Sequence, residues 1–215
     1  MMNSKSRPFV DYPYFLAVSL VFIITVLFTV SLFVGYAELP INELIDQLIA
    51  GSGGLYSVIF IELRLPRTLL AIVVGASLGI SGAAMQGLLR NPLASPGLMG
   101  SSSGAALCAV ITLYFGFHSL SSWFLPVIGM LGALLATAAV YFIAGKNSSI
   151  TTIILAGVAV NAGAAAGISM AINLAPSPYA VREISLWMLG DLSKTSTQSL
   201  WIMFPATLIG WAIIL

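Results

Sequence analysis

Long apolar runs separated by short polar segments form the dominant pattern of the chain. The run from residue 68 to residue 89 has 22 residues without a charge, enough to cross the hydrocarbon core of a membrane at about 1.5 Å of rise per residue. Six such runs predict membrane helices, at residues 14–34, 65–89, 101–115, 123–144, 150–174 and 199–215. We therefore predict an all-α integral membrane protein, a multi-helix transmembrane bundle in a single domain over 1–215.

The polar connector after the first predicted helix, residues 36–63, carries four acidic side chains. Its apolar residues recur at helical spacing, at Ile41, Leu44, Ile45 and Leu48. That spacing predicts a short amphipathic helix lying on the membrane surface. A second short external helix is predicted over residues 179–190.

Composition supports this class of protein. Hydrophobic residues make up 59% of the chain and charged residues 7%, with a mean hydropathy of +1.05, whereas soluble domains carry about 25% charged residues. The formal net charge of +1 says nothing about nucleic acid, but the sequence has no basic cluster, so we expect no nucleic-acid partner. The single cysteine, Cys108, excludes an intrachain disulfide and a cysteine-rich metal site, and we expect neither a metal nor a cofactor.

Small residues mark two of the predicted helices. In the helix over 65–89, Gly75 and Gly79 have the spacing that lets two helix backbones approach closely in lipid. The helix over 150–174 has the least bulky side chains of the chain and carries Asn161 at its middle. An amide inside a membrane needs a partner in the bundle or water in a cavity.

Three motifs carry a resemblance to a known family. They are R-L-P-R at 64–67, G-A-S-L-G-I-S-G-A-A-M-Q-G at 75–87 and R-N-P-L-A-S-P-G-L-M-G-S-S-S-G-A at 90–105. Shorter matches follow at 155–159 and 187–190. With these motifs, most of residues 60–195 resembles the FecCD-type permease subunits of ABC importers for iron-siderophores, haem and cobalamin.

The resemblance implies a transport subunit rather than an enzyme. Such permeases work in the inner membrane with ABC ATPase subunits, a periplasmic substrate-binding protein and a second permease copy, identical or paralogous. The chain has no Walker A sequence, so we expect ATP hydrolysis in a separate subunit. The family has about ten membrane helices of roughly 20 residues each, so we expect this chain to be truncated after about six. We choose iron-siderophore as the solute, with haem or cobalamin as the alternative.

Charged side chains set the predicted topology. Lys5 and Arg7 precede the first helix, which places the N-terminus in the cytoplasm. The basic residues are then evenly divided, with Lys5, Arg7, Arg90 and Lys146 inside and Arg64, Arg67, Arg182 and Lys194 outside. Short loops normally favour Lys and Arg on the cytoplasmic side, so the outer arginines need an explanation.

Two explanations are open for Arg64 and Arg67. They could extend to the membrane interface and pair with Glu62, or bind carboxylates on a partner, since a guanidinium binds a carboxylate bidentately. The resemblance implies the second role, docking of the substrate-binding protein. Arg182 and Trp187 are weaker candidates for the same surface.

The helix over 150–174 is the candidate wall of the solute pathway. The resemblance implies that two permease copies face each other along this helix, whose proposed pathway residues are Gly157, Asn161, Gly163 and Gly167. Ordinary close packing is the alternative for each of them. A structural motif is assigned to Gln86, Asn91, Pro92 and Gly97, which match the inner turn of the family and are expected to fix the angle between two helices.

A different class of function is also suggested by Gly79-Ile80-Ser81-Gly82, which fits the G-x-S-G of rhomboid intramembrane proteases. A catalytic Ser81 would need a histidine base within hydrogen-bond reach. The only histidine, His118, falls in a predicted external turn, so we expect Ser81 to be a small helix-packing residue. A membrane scaffold without transport activity is the third hypothesis.

Overall fold

The computed structural model describes residues 13–51, 53–192, 195 and 197–215. In that part of the chain there are eight helices of at least ten residues and no strand. The helices are α1 (Pro13–Phe33), α2 (Ile41–Ala50), α3 (Leu55–Leu89), α4 (Ser101–Tyr114), α5 (Phe124–Ala144), α6 (Ile150–Asn173), α7 (Pro178–Leu189) and α8 (Thr197–Ile214). The predicted all-α membrane fold class is confirmed. Lys5, Arg7 and Lys194, which the predicted topology used, lie outside the described residues.

Five of these helices are long and apolar enough to cross a membrane, namely α1, α3, α5, α6 and α8. Helix α4 is apolar but has only 14 residues, about 21 Å of rise, which is shorter than a hydrocarbon core. It follows a 3₁₀ turn at Pro96–Met99 and Gly100, whose φ of +76° lies in the left-handed region that glycine adopts without strain.

Helix α3 begins ten residues before its predicted start at residue 65. The segment Ile59–Arg64 is π-helical, and the Leu65 N–H donates to the carbonyl of Phe60. This wider hydrogen-bond pattern directly precedes Pro66, whose ring and missing N–H would disrupt a regular α-helix. The sequence prediction began the helix at Leu65, directly before Pro66, and so missed the helical residues that precede it.

The chain separates into two compact units. The first comprises the chain up to Ala71 together with 193–200, and the second comprises Ile72–Leu192 together with Trp201–Leu215. The single transmembrane domain over 1–215 stays a prediction.

In the first unit, helix α2 is fastened to the start of α3 by Gln47. Its Oε1 accepts hydrogen bonds from the N–H of Tyr56 (3.0 Å) and of Ser57 (3.2 Å), two donors of the kind that a helix N-terminus leaves unpaired. Gly54 permits this approach, because a Cβ there would collide with the Gln47 amide. The predicted amphipathic helix is therefore present as α2, and its position on the membrane surface stays a prediction.

In the second unit, helices α4, α5 and α6 form the core. The backbones of α4 and α5 touch, since a Cβ placed on Gly132 would lie 2.5 Å from the carbonyl oxygen of Gly104. Small residues thus permit the close approach that packs helices in lipid. Four buried side chains extend this core from α4 and α6 to α7, namely Val110, Leu113, Ile168 and Ile184.

The small-residue face of α3 has no packing partner in the described chain. A Cβ added at Gly75 or Gly79 would meet no heavy atom within 4 Å, so the close packing predicted there is not formed among the described residues. The physical reason is that small-xxx-small spacing permits a close contact without supplying the attraction that makes one.

Candidate functional site

The two arginines of the R-L-P-R motif have opposite environments. The Arg64 side chain is buried, with 8% of its surface exposed, whereas Arg67 is exposed. Only Leu65 and Pro66 lie between them on α3, and Pro66 is fully buried. The two arginines, which the motif alone does not distinguish, therefore differ in burial.

The Arg64 guanidinium is engaged with the end of α1. Its Nη1 donates to the carbonyls of Leu32 (3.0 Å) and Phe33 (2.8 Å), and its Nη2 donates to the carbonyl of Ala37. Three of the five guanidinium donors thus bind carbonyl oxygens of the same chain, which leaves fewer of them for a carboxylate of a partner than the expected docking role would use. The docking role of Arg64 stays a prediction.

The other candidate docking residues are accessible. Arg67 has no hydrogen bond or ion pair with the rest of the described chain, and neither arginine of the motif pairs there with Glu62. Arg182 is exposed and Trp187 is 38% exposed on α7. Their five-residue spacing turns them about 140° apart around the helix, so the two side chains do not share one face.

The structural motif residues are joined in the inner turn, defined here as residues 90–100. Gln86 donates from Nε2 to the carbonyl of Pro92 (3.1 Å), and the Asn91 N–H donates to the Gln86 carbonyl (3.2 Å). The Asn91 side chain accepts from the Leu93 N–H (2.9 Å), which closes an Asx turn. These bonds hold the chain as it leaves α3.

Asn161 connects α6 to this inner turn. Its Nδ2 donates to the carbonyl of Gly97 (3.0 Å), and its Oδ1 accepts from the hydroxyl of Ser103 (2.5 Å) on α4. Of the two alternatives for an intramembrane amide, the described chain supplies the first, a partner in the bundle. Asn161 is half-buried, and both the oxygen and the nitrogen of its amide are hydrogen-bonded within the described chain.

The three candidate pathway glycines of α6 lie in different surroundings. Gly157 is buried against the inner turn, where a Cβ would collide with the backbone carbonyl of Leu98. A Cβ on Gly167 would lie 2.8 Å from a methyl of Leu107 on α4. Gly163 is exposed, with nothing within 4 Å of an added Cβ. Gly157 and Gly167 are thus packing glycines, whereas Gly163 is open.

One face of α6 stays open in the described chain. Its residues recur at the helical spacing of three or four, at Leu155, Ala159, Ala162, Ala166 and Ser169, and all are exposed. Apart from Leu155 these side chains are small. The opposite face packs on α4 and the inner turn. Small residues of α6 therefore permit close packing on one face and leave open space on the other.

The Ser81 hydroxyl is engaged within its own helix, and its expected role as a packing residue stays a prediction. Its hydroxyl donates to the carbonyl of Ser77 one turn earlier (2.7 Å), a local bond typical of serine inside a helix. The described part of the chain also holds no group of three or more His, Cys, Asp or Glu placed to bind a metal ion.

Sequence reasoning missed two functional contacts. The Gln47 cap on α3 and the Ser103 hydroxyl on Asn161 both join residues from different helices. No side-chain bond caps α4 in the structure, and Ser103 binds Asn161 instead. Neither contact has a local sequence signal.

The described chain is a helical membrane protein with five membrane-length helices. The guanidinium of Arg67 is exposed, and α6 has an open face of mostly small side chains. The chain belongs to the FecCD transport family, whose family model matches residues 23–215. The predicted resemblance is confirmed. With five membrane-length helices, this family places the chain in the inner membrane as a multi-pass protein.

Three relatives show the breadth of the family. The chain is 40% identical over 161 residues to the uncharacterized ABC transporter permease YvrB of Bacillus subtilis, covering 73% of this chain and 45% of YvrB. It is 38% identical to the hemin transport permease HmuU of Yersinia pestis, covering 71% and 48%. It is 38% identical to the vitamin B12 import permease BtuC of Klebsiella pneumoniae, covering 66% and 43%. The chain thus spans about half the length of the curated relatives it matches.

The fold is also similar to a solved structure, an ABC transporter assigned to the metal-chelate type in an inward-facing conformation. The TM-score is 0.75 at 27% sequence identity, and the match covers 91% of this chain and 58% of the other. The chain therefore has the fold of an ABC permease.

Proposed function

We propose that the chain is the permease subunit of an ATP-driven importer that passes an iron-siderophore complex from a periplasmic binding protein into the cytoplasm. The observation that carries this proposal is the family match over residues 23–215. The similarity to an ABC transporter assigned to the metal-chelate type supports the choice of an iron chelate as the solute.

We also propose that the binding protein contacts Arg67, Arg182 and Trp187, the last two on different faces of α7. Arg67 supports it most directly, because its guanidinium is exposed and unengaged in the described chain. A free guanidinium can bind a carboxylate through two parallel hydrogen bonds. Arg64 is the less available arginine for this role, because three of its five guanidinium donors already bind backbone carbonyls.

The proposed solute pathway follows the open face of α6, with Gly163 on it. A second permease copy would form the opposite wall, and separate ATPase subunits would open and close the passage. Small side chains suit this role because they leave room for a bulky solute. Asn161, Gly157 and Gly167 support the pathway from behind, since they hold α6 to the inner turn and to α4.

Haem or cobalamin is the alternative solute. The relatives HmuU and BtuC favour it, since they serve hemin and vitamin B12 systems. The residues of the open α6 face do not discriminate, because apart from the Ser169 hydroxyl they are aliphatic and present no group that selects one chelate by hydrogen bonding.

An uptake panel tests the proposal. Cells that lack their own importers would express the gene together with its neighbouring ATPase and binding-protein genes, and would be given a radiolabelled ferric siderophore, haem or vitamin B12. We expect uptake of the siderophore that stops when the ATPase is inactivated. Uptake of haem or vitamin B12 instead would establish the alternative solute, and uptake of none of the three would reject the importer function.

A further inference from the structure

The turn between α4 and α5, residues 115–123 and called the aromatic turn below, presents large apolar side chains at the surface of the described chain. Four of them are 43–69% exposed, namely Phe115, Phe117, Leu120 and Trp123. No Asp, Glu, Lys or Arg occurs between Arg90 and Lys146. Contiguous exposed apolar side chains mark a surface that interacts with another phase or molecule, so the aromatic turn needs a partner.

The backbone of the aromatic turn is ordered. Gly116 has a φ of +71°, which glycine adopts without strain, and it leads into a 3₁₀ turn at Phe117–Ser119. The N–H groups of Ser119 and Leu120 donate to the carbonyls of Gly116 (3.2 Å) and Phe117 (3.1 Å). Backbone groups paired within the chain need less water, which suits a position where water is scarce.

Ring contacts join the aromatic turn to the helices on both sides. The rings of Tyr114 and Phe115 meet edge to face with their centroids 5.0 Å apart. The Phe115 and Phe117 rings stack at 5.6 Å, and Phe117 contacts Phe124 at the start of α5 at 6.1 Å. These are favoured geometries for aromatic pairs, so the exposed rings are held in place.

The aromatic turn lies level with the end of α6. Tyr114, the last residue of α4, donates from its hydroxyl to the carbonyl of Leu174 (2.8 Å), and Leu174 directly follows the last residue of α6. With 24 residues, α6 rises about 36 Å, which exceeds a hydrocarbon core of about 30 Å. When α6 crosses a membrane, its ends therefore reach the headgroup layers, and the aromatic turn is placed at one of these ends.

The turn at the other end of α5 has the opposite character. Residues 145–149 read Gly-Lys-Asn-Ser-Ser, and both Lys146 and Asn147 are exposed. Such side chains are well solvated by water. The two turns of one helix are thus both exposed but differ in chemistry, and the second turn provides an internal reference for the first.

We propose that the aromatic turn is a lipid-binding surface, which inserts into the headgroup layer of the membrane and anchors the α4–α5 hairpin there. Phospholipid is the partner because aromatic and leucine side chains favour the boundary between headgroups and acyl chains. A soluble protein partner is recognised in part by complementary charges, and the stretch 91–145 offers no Asp, Glu, Lys or Arg. This surface is independent of the proposed importer function.

Photolabelling of the unaltered chain tests the placement. The chain in phosphatidylcholine nanodiscs would be irradiated with a diazirine that partitions into lipid or with a water-soluble one, and the adducts would be quantified by peptide mass spectrometry. We expect the ratio of lipid-phase to water-phase adducts to be at least about fivefold higher in 115–123 than in 145–149, because apolar rings partition into the interface. Equal ratios in the two turns would overturn the proposal.

Spin labelling distinguishes lipid from a covering protein. In a Cys108→Ala background, a nitroxide would be attached to Leu120→Cys or to the matched control Lys146→Cys. Power saturation then measures collisions with oxygen, which concentrates in lipid, and with a nickel chelate, which stays in water. We expect oxygen collisions to dominate at position 120 and nickel collisions to dominate at position 146.

Two other outcomes at position 120 would each overturn the proposal. Frequent nickel collisions, equal to those at position 146, would place the aromatic turn in water. Few collisions with both reagents would show that protein covers it, either another part of the assembly or a second copy of the chain. If the cysteine variants do not fold, the photolabelling ratios of the unaltered chain still decide the question.

Discussion

Substitution of Asn161 by leucine tests how the pathway helix is held. In the structure the Asn161 amide joins α6 to the Gly97 carbonyl of the inner turn and to the Ser103 hydroxyl of α4. Leucine has a similar size and no polar atom, so it removes both bonds while largely preserving the packing. Ser103 can still donate to the Gly100 carbonyl (2.9 Å), but the Gly97 carbonyl loses its side-chain donor.

The expected magnitude follows from hydrogen bonds measured between membrane helices. These contribute about 0.6 kcal/mol on average and at most about 1.7 kcal/mol each, so two of them amount to about 1–3 kcal/mol. Leucine also gains free energy by transfer into lipid, which opposes this loss. The coupling free energy between Asn161→Leu and Ser103→Ala removes that gain, and we expect about 0.6–1.7 kcal/mol for this bond.

The assay is reversible unfolding in bicelles by steric trapping, applied to the unaltered chain, both single variants and the double variant. Asn173→Leu on the same helix is the matched control. Its amide donates to the Ser169 carbonyl one turn earlier (2.8 Å), so no contact between helices is lost. We expect Asn173→Leu to leave the free energy of unfolding unchanged or higher.

Two results would refute this reasoning. A coupling below about 0.3 kcal/mol would lie within the additivity error of independent sites. Equal stabilities of Asn161→Leu and Asn173→Leu would show that the bonds to α4 and the inner turn contribute nothing specific. Either result would return Asn161 to the solute pathway as a candidate.

Three further predictions follow from the contacts described above. Gly157→Ala should lower the free energy of unfolding by about 1–3 kcal/mol, because its methyl would collide with a backbone carbonyl, whereas Gly163→Ala should be nearly neutral in the same unfolding assay. Arg67→Glu should weaken docking of the neighbouring binding protein by at least about tenfold, since an exposed site loses a charge-assisted pair and gains a like charge; unaltered affinity by interferometry on nanodiscs would contradict the docking role. Gln47→Ala should lower stability by about 1 kcal/mol through loss of the cap on α3, and unchanged hydrogen exchange at the first amides of α3 would speak against it.

The helices were predictable because apolar runs report burial in lipid without reference to any partner. The short helix α2 was predictable for a similar reason, since its apolar residues repeat within ten positions. The early start of α3 was not predictable. Charged residues and Pro66 normally end a membrane helix, and only the π-helical stretch before them lets the helix continue.

The candidate site was predictable as a set of residues but not as a set of roles. A motif places Arg64 and Arg67 together on the chain, but the burial of each depends on where the end of α1 lies. Asn161 was expected to find a partner or water, yet its partner Ser103 lies 58 residues away in sequence. Gly157 and Gly163 likewise differ only because the inner turn contacts one of them.

The π-helical stretch Ile59–Arg64 has a consequence for deletions and insertions near the start of α3. A π-helical stretch is in effect one extra residue accommodated inside an α-helix. Deleting a single residue between positions 59 and 64 is expected to let the stretch relax to a regular α-helix with little change in the direction of the residues on either side. Inserting a further residue into a regular turn would instead rotate the residues before it by about 100° around the helix axis, so this segment should tolerate the loss of one residue better than a gain.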